Sequence, residues 1–356
     1  MKQFLRTYVY GILFIIVFFG VITYLFGEEF TEFQKTQAEK QEYQKTLTES
    51  KNIFQHKDIV ELGDDVILHS TPDLVFLEKL VNYIDSAEER VWLEVYIFTE
   101  KRILEALIRA SNRGVDVKVL LENNPYMAPY LNNKHYTALK DTGVSVKWSD
   151  PLNYALNHSK FMIVDERVFV STGNYSYSSF NSNRDIFLEV FHQEIVGELG
   201  RLFLHDYRHE PFGVLHPNIV LSPDNSRQKI ESLFLGANEK IDMYFPYMSD
   251  EALLDLVIDT AERGVEIHFI LGEDARENSH NEIIRLINAG VNIYFMRRPK
   301  LHAKTILMDD KILYIGSINF SFHSMNSNRE VGLLLKDTGI ITEFQKLFKK
   351  DISLLK

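Results

Sequence analysis

Two segments of the chain share the pattern H-x-K-x4-D, whose side chains are suited to phosphate chemistry. Each segment opens an apolar run typical of a β-strand, and side-chain alternation along a strand places its histidine and lysine on one face. An imidazole next to an ammonium suits a phosphate ester, because one group can attack or protonate while the other neutralises charge on oxygen. The two motifs consist of His158, Lys160 and Asp165, and of His302, Lys304 and Asp309.

A short run of small polar residues follows each motif, at residues 171–174 (STGN) and 316–319 (GSIN). Small residues allow a close approach to an oxyanion, and hydroxyl and amide groups can donate hydrogen bonds to it. The residues predicted to bind the substrate phosphate are Thr172, Asn174, Ser317 and Asn319.

A carboxylate follows each polar run. Asp185 lies 27 residues after His158, and Glu330 lies 28 residues after His302. A carboxylate at this position could accept a hydrogen bond from the second ring nitrogen of the histidine and fix its tautomer. The repeated spacing therefore predicts that Asp185 and Glu330 orient the histidines.

The chain contains an internal repeat. Residues 90–124 align without a gap with residues 240–274, and both segments follow a strand, helix, turn, strand pattern. Residues 176–185 (SYSSFNSNRD) and residues 321–330 (SFHSMNSNRE) are identical at six of ten positions. Two matches in the same order indicate a duplicated unit.

The repeat predicts an α/β fold of two homologous lobes, residues 59–212 and residues 213–356. We expect each lobe to be a mixed, mainly parallel sheet flanked by helices, with a crossover between the lobes in residues 205–216. Arg184 and Arg329 are equivalent in the repeat, and they could bind phosphate or form a salt bridge that holds the lobes together.

The second motif continues as H-x-K-x4-D-x6-G-S-x-N through Asn319, and it resembles the HKD motif of the phospholipase D superfamily. This resemblance covers nearly all of residues 59–356. The first motif departs from the pattern, because only five residues separate Asp165 from Ser171 and Ser-Thr-Gly-Asn replaces Gly-Ser-x-Asn. Asn174 keeps the place of the motif asparagine.

The resemblance implies a single active site at the interface of two pseudo-symmetric lobes. One histidine attacks phosphorus to form a covalent phosphohistidine, the other protonates the leaving oxygen, and neither a metal nor another cofactor is needed. By resemblance, His158 is the nucleophile and His302 the acid, while Asp165 and Asp309 are structural.

The beginning of the chain predicts a membrane anchor. Residues 8–27 carry no charge and are long enough, as a helix, to span a hydrocarbon core of roughly 30 Å. Lys2 and Arg6 precede them, so the positive-inside rule places residues 1–7 in the cytoplasm and the catalytic body outside the membrane. A cleaved signal peptide and a buried helix are the alternatives. The polar residues 28–58 predict a helical stalk or a flexible tether.

Composition narrows the substrate class. The 39 basic and 50 acidic residues give a net charge of −11, which disfavours passive coating of nucleic acid but allows a local basic cleft. The absence of cysteine excludes disulfides, zinc-thiolate sites and thiol nucleophiles. We expect a membrane enzyme that acts on phospholipids, by phospholipase D hydrolysis or cardiolipin-synthase-like phosphatidyl transfer. A membrane-tethered nuclease that cuts DNA or RNA is the alternative, and a non-catalytic binding module is a third hypothesis.

Three further features have competing interpretations. Residues 126–130 (YMAPY) could contact lipid, line the substrate groove or pack in the core. His205 and His209 are four residues apart and could bind a metal or lie at a helix end. Trp92 and Trp148 are predicted to lie in the core.

Overall fold

The computed structural model describes residues 55–214 and 216–355. The predicted membrane segment at residues 8–27 and most of the predicted stalk at residues 28–58 lie outside the described residues. Within the described ranges, the helices are too short or too polar to cross a membrane. The last residues of the predicted stalk form a short 3₁₀ helix, His56–Asp58, and the His56 ring is 3.1 Å from the Ser232 hydroxyl of the second lobe.

The first lobe is a mixed sheet flanked by helices. Its strands are β1 (Val66–Ser70), β2 (Arg90–Val95), β3 (Asp116–Leu121), β4 (Ser145–Trp148), β5 (Lys160–Val164), β6 (Arg167–Ser171), β7 (Asn183–Arg184) and β8 (Ile186–Val190). Its helices are α1 (Leu74–Ser86), α2 (Lys101–Asn112), α3 (Asn133–Lys140), α4 (Tyr177–Asn181) and α5 (Gln193–Arg208). Seven strands form one sheet in the order β1-β8-β6-β5-β2-β3-β4.

The second lobe repeats this arrangement. Its strands are β9 (Ile219–Ser222), β10 (Lys240–Phe245), β11 (Glu266–Gly272), β12 (Asn292–Met296), β13 (Lys300–Leu301), β14 (Thr305–Met308), β15 (Ile312–Gly316) and β16 (Glu330–Leu335). Its helices are α6 (Ser226–Gly236), α7 (Glu251–Glu262), α8 (Ala275–Asn278), α9 (His280–Asn288), α10 (Phe322–Asn326) and α11 (Thr338–Leu355). The sheet order is β12-β11-β10-β14-β15-β16-β9, and the short strands β7 and β13 pair across the lobes.

The helices follow from ordinary sequence signals. In α1 the Asp73 side chain accepts hydrogen bonds from the amides of Val75 and Phe76, which caps the first turn. Phe76, Leu80 and Ile84 are spaced by four residues and are buried against the sheet, as an amphipathic helix requires.

The sheets are mixed, but the prediction that they are mainly parallel is wrong. In each sheet four of the six neighbouring strand pairs are antiparallel. Within these two sheets, only β2-β3-β4 and β10-β11-β12, which are joined through helices, run parallel. The motif strand of each lobe continues directly into the next strand through a tight turn, and a tight hairpin can only be antiparallel.

One apolar cluster contains residues of both sheets. Phe161 and Val170 of the first lobe belong to the same buried cluster as Ile315 and Leu333 of the second, together with apolar residues of α5 and α11. Trp92 lies in this core as predicted. Trp148 is only partly buried, and its ring stacks on Tyr136.

The last helix of each lobe forms an ion pair with the other lobe. Arg184 binds Asp351 on α11, with Nε 2.8 Å from Oδ2, and the equivalent Arg329 donates from Nη2 to Asp206 Oδ1 on α5 at 3.0 Å. Of the two interpretations of these arginines, the structure therefore agrees with a salt bridge between the lobes. His209 terminates α5 in a left-handed conformation, so His205 and His209 mark a helix end.

Candidate active site

The two motif histidines lie just before their strands and are held by the opposite lobe. The backbone N–H of His158 donates to the carbonyl of Arg329 at 2.8 Å. In the same way the N–H of His302 donates to the carbonyl of Arg184 at 3.0 Å. The repeated arginine-carboxylate segment of each lobe thus lies beside the histidine of the other lobe.

Each histidine contacts a carboxylate of the other lobe. Nδ1 of His158 is 2.7 Å from Oε2 of Glu330, and Nδ1 of His302 is 2.8 Å from Oδ1 of Asp185. The spacing within each repeat suggested a partner in the same copy, whereas the pairs are exchanged between the copies. Both carboxylates are fully buried, so neither histidine half of the site is complete without the other lobe.

The two carboxylates remain ionised although they are buried. Burial alone would raise the pKa of Asp185, but His302, Lys304 and the Thr172 hydroxyl hold it below its ordinary value. Burial likewise opposes ionisation of Glu330, while His158 and Lys160 lower its pKa. An ionised carboxylate accepts the Nδ1–H of its histidine, which leaves Nε2 as the reactive nitrogen.

Both histidines favour the neutral form. Burial lowers the pKa of His158 to about 4, with Lys160 and Lys304 acting in the same direction and Glu330 opposing them. Burial and the adjacent Lys304 also lower the pKa of His302. A neutral imidazole with Nδ1–H bound to a carboxylate carries its lone pair on Nε2, which is the form that a nucleophile requires. In His302 this nitrogen lies 3.2 Å from Nζ of Lys304.

The motif lysines are buried and held by backbone carbonyls. Nζ of Lys160 donates to the carbonyl of His158 at 2.6 Å. Nζ of Lys304 donates to the carbonyls of His302 at 2.6 Å and of Thr172 at 3.0 Å. Burial lowers the pKa of Lys304 to about 8 and that of Lys160 well below its ordinary value. An arriving phosphate anion would favour the charged form of both lysines.

The hydroxyls of Thr172 and Ser317 face the carboxylates instead of open space. Thr172 Oγ1 donates to Asp185 Oδ1 at 3.0 Å, and the Ser317 hydroxyl interacts with Glu330 and lowers its pKa. Both residues are fully buried. The Thr172 hydroxyl thus holds Asp185, while the Ser317 hydroxyl also donates to the backbone carbonyl of Val331 at 3.2 Å. Phosphate binding by these two hydroxyls stays a prediction.

The side chains of Asn174 and Asn319 have hydrogen-bonding capacity that the protein does not use. Asn174 Oδ1 accepts the amide N–H of Ile97 at 3.2 Å, which leaves its NH₂ group for another acceptor. Asn319 Oδ1 is buried and has no hydrogen-bond partner in the structure. Both side chains keep a small exposed fraction, 9% for Asn174 and 8% for Asn319.

The departure of the first motif from the pattern lies in a hairpin turn. Asp165 and Glu166 form the two-residue turn between β5 and β6, whereas three residues join β14 to β15. The missing residue is therefore at the turn, and Thr172 remains equivalent to Ser317.

The motif aspartates Asp165 and Asp309 stand at these turns, with φ angles of 48° and 49°. Asp165 accepts hydrogen bonds from three consecutive backbone amides, and Asp309 does the same in the second lobe. These contacts fix the start of β2 and of β10 against the hairpin. The geometry fits the structural role that the resemblance implies.

The two halves of the site differ in their access to solvent. The side chain of His302 is 27% exposed and borders a cavity of about 450 Å³, whose lining includes Glu273, Asp274 and Asn278. The side chain of His158 is 10% exposed, and the rings of His158 and Tyr96 pack edge to face with their centroids 4.4 Å apart. The repeat places Pro246 where Tyr96 stands in the first lobe, so the closed side and the open side are set by sequence.

The segment of residues 126–130 projects into solvent, so the core-packing interpretation is wrong for its large side chains. Tyr126, Met127 and Tyr130 are 76%, 86% and 74% exposed. The backbone N–H of Tyr126 donates to the Tyr96 hydroxyl at 2.6 Å, which ties the segment to the residue that covers His158.

The described residues bring one set of possible metal ligands together, His192, Glu194 and His216, which the sequence analysis did not identify. Nδ1 of His216 accepts the backbone N–H of Asn218 at 3.3 Å, so its neutral tautomer carries the proton on Nε2, 3.6 Å from Glu194. Nε2 of His216 and Nδ1 of His192 have no hydrogen-bond partner in the structure.

Comparisons with known proteins agree with this geometry. A family described as "Cardiolipin synthase, PLD-like domain" matches residues 80–207 and 230–352. The cardiolipin synthase of Clostridium perfringens is 25% identical, with 94% of this chain and 84% of that protein covered. The cardiolipin synthase of Oceanobacillus iheyensis is also 25% identical, with 86% and 76% covered.

Among solved structures, the phosphatidylserine synthase of Haemophilus influenzae superposes with a TM-score of 0.65 at 14% identity, covering 82% of this chain and 86% of the other. A polyphosphate kinase of Porphyromonas gingivalis gives a TM-score of 0.63 at 16% identity, covering 80% of this chain and 50% of the other. These two likenesses bear on the fold alone.

Proposed function

The chain belongs to the cardiolipin synthase family of PLD-like domain proteins, and from this membership and the site geometry we propose that it transfers phosphatidyl groups between phospholipid headgroup alcohols. The donor is a phospholipid, the intermediate is a phosphohistidine, and the acceptor is an alcohol or water.

The proposed reaction has two half-reactions. In the first, the Nε2 lone pair of His158 attacks phosphorus, the phosphorus–oxygen bond to the headgroup breaks, and His302 gives its Nε2 proton to the leaving oxygen. In the second, an acceptor hydroxyl gives a proton to His302 and attacks phosphorus, and the nitrogen–phosphorus bond breaks. The charge of the bound phosphodiester favours the imidazolium form of His302 that the first step needs.

The equatorial oxygens of the phosphoryl group would be held by the motif lysines and asparagines. The hydroxyls of Thr172 and Ser317 already form hydrogen bonds within the protein, so the lysines and asparagines supply the remaining donors near both histidines. They are Lys160, Lys304, Asn174 and Asn319. The cavity beside His302 has room for a headgroup, and its carboxylate and amide side chains can accept hydrogen bonds from hydroxyl groups.

The exposed apolar segment at residues 126–130 lies next to the closed, His158 side of the site. It is the observation that favours a lipid substrate over nucleic acid. Tyr126 is joined to Tyr96, and Tyr96 packs on His158, so apolar side chains project beside the proposed nucleophile. Contiguous exposed apolar side chains favour contact with lipid. The motif lysines are buried and the net charge is −11, neither of which suits a groove that follows a nucleic-acid backbone. Arg297 and Lys300 line the cavity beside His302, but they share it with Glu273 and Asp274.

Full-length protein in mixed micelles tests the substrate class. We expect it to convert labelled phosphatidylglycerol to cardiolipin and glycerol, and to leave labelled single-stranded DNA intact. The double variant His158→Ala/His302→Ala is the control for contaminating enzymes. Cleavage of DNA without consumption of lipid would establish the nuclease alternative.

We also propose that residues 8–27 anchor the protein with its catalytic body outside the cytoplasm. The support is the uncharged segment preceded by Lys2 and Arg6. Protease added to intact cells should release the body from its anchor. Protection of the body until the cells are lysed would reverse the proposed orientation.

A further inference from the structure

Equivalent buried networks lie at the two lobe contacts. In the second lobe the hydroxyl of Tyr244 donates to Oδ2 of Asp351 at 2.9 Å, and Arg184 donates to both oxygens of the same carboxylate. This network contains one carboxylate, one guanidinium and one neutral donor, so its charges balance.

The first lobe has Glu94 where the gapless repeat places Tyr244. Arg329 and Asp206 take the parts of Arg184 and Asp351. Glu94 is fully buried on β2, and its carboxyl group interacts with that of Asp206. Oε2 of Glu94 has no hydrogen-bond partner in the structure, and Nε of Arg329 lies 3.0 Å from Oδ2 of Asp206. Two ionised carboxylates buried beside one guanidinium would repel each other, so the contact favours one shared proton.

The charges around Glu94 support a shared proton. Arg329 brings one positive charge, which Asp206 already balances, and Asp224 lies 3.1 Å from Nη1 of the same guanidinium. Burial raises the pKa of Glu94 to about 7, and burial together with Glu94 raises the pKa of Asp206. The titratable, charged and polar groups that interact with the pair are Arg329, Asp224, Tyr154, Ser159, Asn157 and, behind Asn157, Glu122. Asp150, His209 and Glu210 line the small cavity that Asp206 borders.

The pair is connected to the His158 half of the site. Oε1 of Glu94 accepts from the side-chain amide of Asn157 at 3.0 Å, and Asn157 immediately precedes His158. On the other side, Arg329 immediately precedes Glu330, the carboxylate that binds His158. In the second lobe the equivalent of Asn157 is Leu301, which needs no acceptor, and Tyr244 can replace the acid there.

We propose that Glu94 is a positioning residue that shares one proton with Asp206, and that this proton holds Asn157–His158 and Arg329–Glu330 in register for the reaction. Below the pKa of the pair the network is intact. As pH rises through about 7, two adjacent buried carboxylates repel each other and the histidine–carboxylate contact loosens. The Tyr244 hydroxyl keeps its proton over this range, because burial raises its pKa well above the ordinary value.

The test compares full-length wild type with Glu94→Gln and, as a matched control, Tyr244→Phe. Glutamine can accept from Asn157 and donate to Asp206 without a titratable proton. Wild-type kcat for phosphatidyl transfer should fall as pH rises above about 7, by up to roughly tenfold per pH unit. The kcat of Glu94→Gln should not fall above this pH, and below it the kcat should stay within about twofold of wild type. Tyr244→Phe should keep the wild-type pH dependence. A fall in kcat that begins at the wild-type pH in Glu94→Gln would overturn the role of the shared proton.

The kinetic part rests on the proposed function, so a second measurement stands apart from catalysis. Difference infrared spectra taken below and above the pKa should contain the carbonyl stretch of a protonated carboxyl group, lost on raising the pH, in wild type and not in Glu94→Gln. Identical spectra for the two proteins would overturn the shared proton. A folded Glu94→Gln protein that is inactive at every pH, while wild type is active, would overturn the proposal that Glu94 acts in its protonated, uncharged form.

Discussion

Glu330 of the second lobe accepts a hydrogen bond from Nδ1 of His158 in the first lobe, at 2.7 Å. Asp185 of the first lobe makes the reciprocal contact with His302. The two lobes therefore exchange the groups that set the histidine tautomers, and docking of the lobes is a condition for a working site.

Glu330→Gln should lower kcat by at least about 10²-fold while the protein remains folded, because an amide at this position no longer enforces the Nδ1–H tautomer. Steady-state kinetics on phosphatidylglycerol would measure the loss. Glu105→Gln, an exposed glutamate on α2, is the control. Wild-type turnover in Glu330→Gln would mean that the carboxylate does not orient His158.

This exchange shows where sequence reasoning ends. The repeat, the motif residues and the carboxylates at 27 and 28 residues could all be found from spacing, since each is a local pattern. Which carboxylate meets which histidine depends on how two similar lobes pack, and no local pattern encodes that choice. Glu94 was missed for a related reason: a single acid in an apolar strand has meaning only beside Asp206, which is distant in sequence.

The predicted strand direction failed for a different reason. Short β-rich runs alternating with helices are typical of parallel sheets, and that pattern holds for β2-β3-β4. After His158, however, consecutive strands are joined by a turn of two residues, Asp165 and Glu166, which forces an antiparallel pair. The motif aspartate at this turn was expected to be structural, but its type and spacing did not reveal that it stands in a two-residue hairpin.

Gly173→Ala should reduce activity through Asp185 and not through folding. A Cβ at Gly173 would lie 2.5 Å from the Asp185 carboxylate carbon, so the carboxylate has to move away from His302. We expect a fall in kcat of roughly 10-fold or more with little change in KM. Gly339→Ala adds a methyl group where no atom lies within 4 Å and is the control. Equal activity of the two variants would contradict the tight placement of Asp185.

Asp309→Asn should cost stability without a comparable loss of kcat. The carboxylate accepts from backbone amides at the start of β10, and weakening these bonds should cost about 1–3 kcal/mol of unfolding free energy. Asp310→Asn is the matched control: it is the next residue, also at positive φ, and its ion pair with Lys240 is partly exposed.

Asp309 also predicts the direction in which the stability of the protein changes with pH. Burial opposes ionisation of Asp309, but the backbone amides hold its folded-state pKa below the ordinary value. Its stabilisation is therefore present above the unfolded-state pKa and is lost as pH falls through the folded-state pKa. Chemical denaturation at several pH values should show the difference between wild type and Asp309→Asn shrinking in acid. A difference that grows in acid would contradict this assignment.

Replacing Tyr126 and Met127 together by serine should weaken binding to phospholipid vesicles by roughly 10-fold or more, since each buried apolar side chain contributes about 1.5–3 kcal/mol. Turnover of a short-chain, monomeric phospholipid should be unchanged, because neither side chain belongs to the catalytic set. Vesicle co-sedimentation of the catalytic body without the proposed anchor at residues 8–27 measures the first effect. Leu354→Ser removes another exposed apolar side chain, on α11, and serves as control. Equal loss of binding in both variants would place the lipid contact elsewhere.

The roles of the two histidines can be separated with an activated substrate. His158 is the more enclosed, with a pKa lowered to about 4, and His302 borders the open cavity through which an alcohol can leave. General-acid help is typically worth about 10²–10⁴-fold, and a good leaving group needs little of it. His302→Ala should therefore retain some turnover of an aryl phosphodiester and still form an acid-labile phosphoenzyme, whereas His158→Ala should do neither. An adduct that disappears only in His302→Ala would exchange the two roles, and an adduct in both variants would rule out the two-histidine scheme.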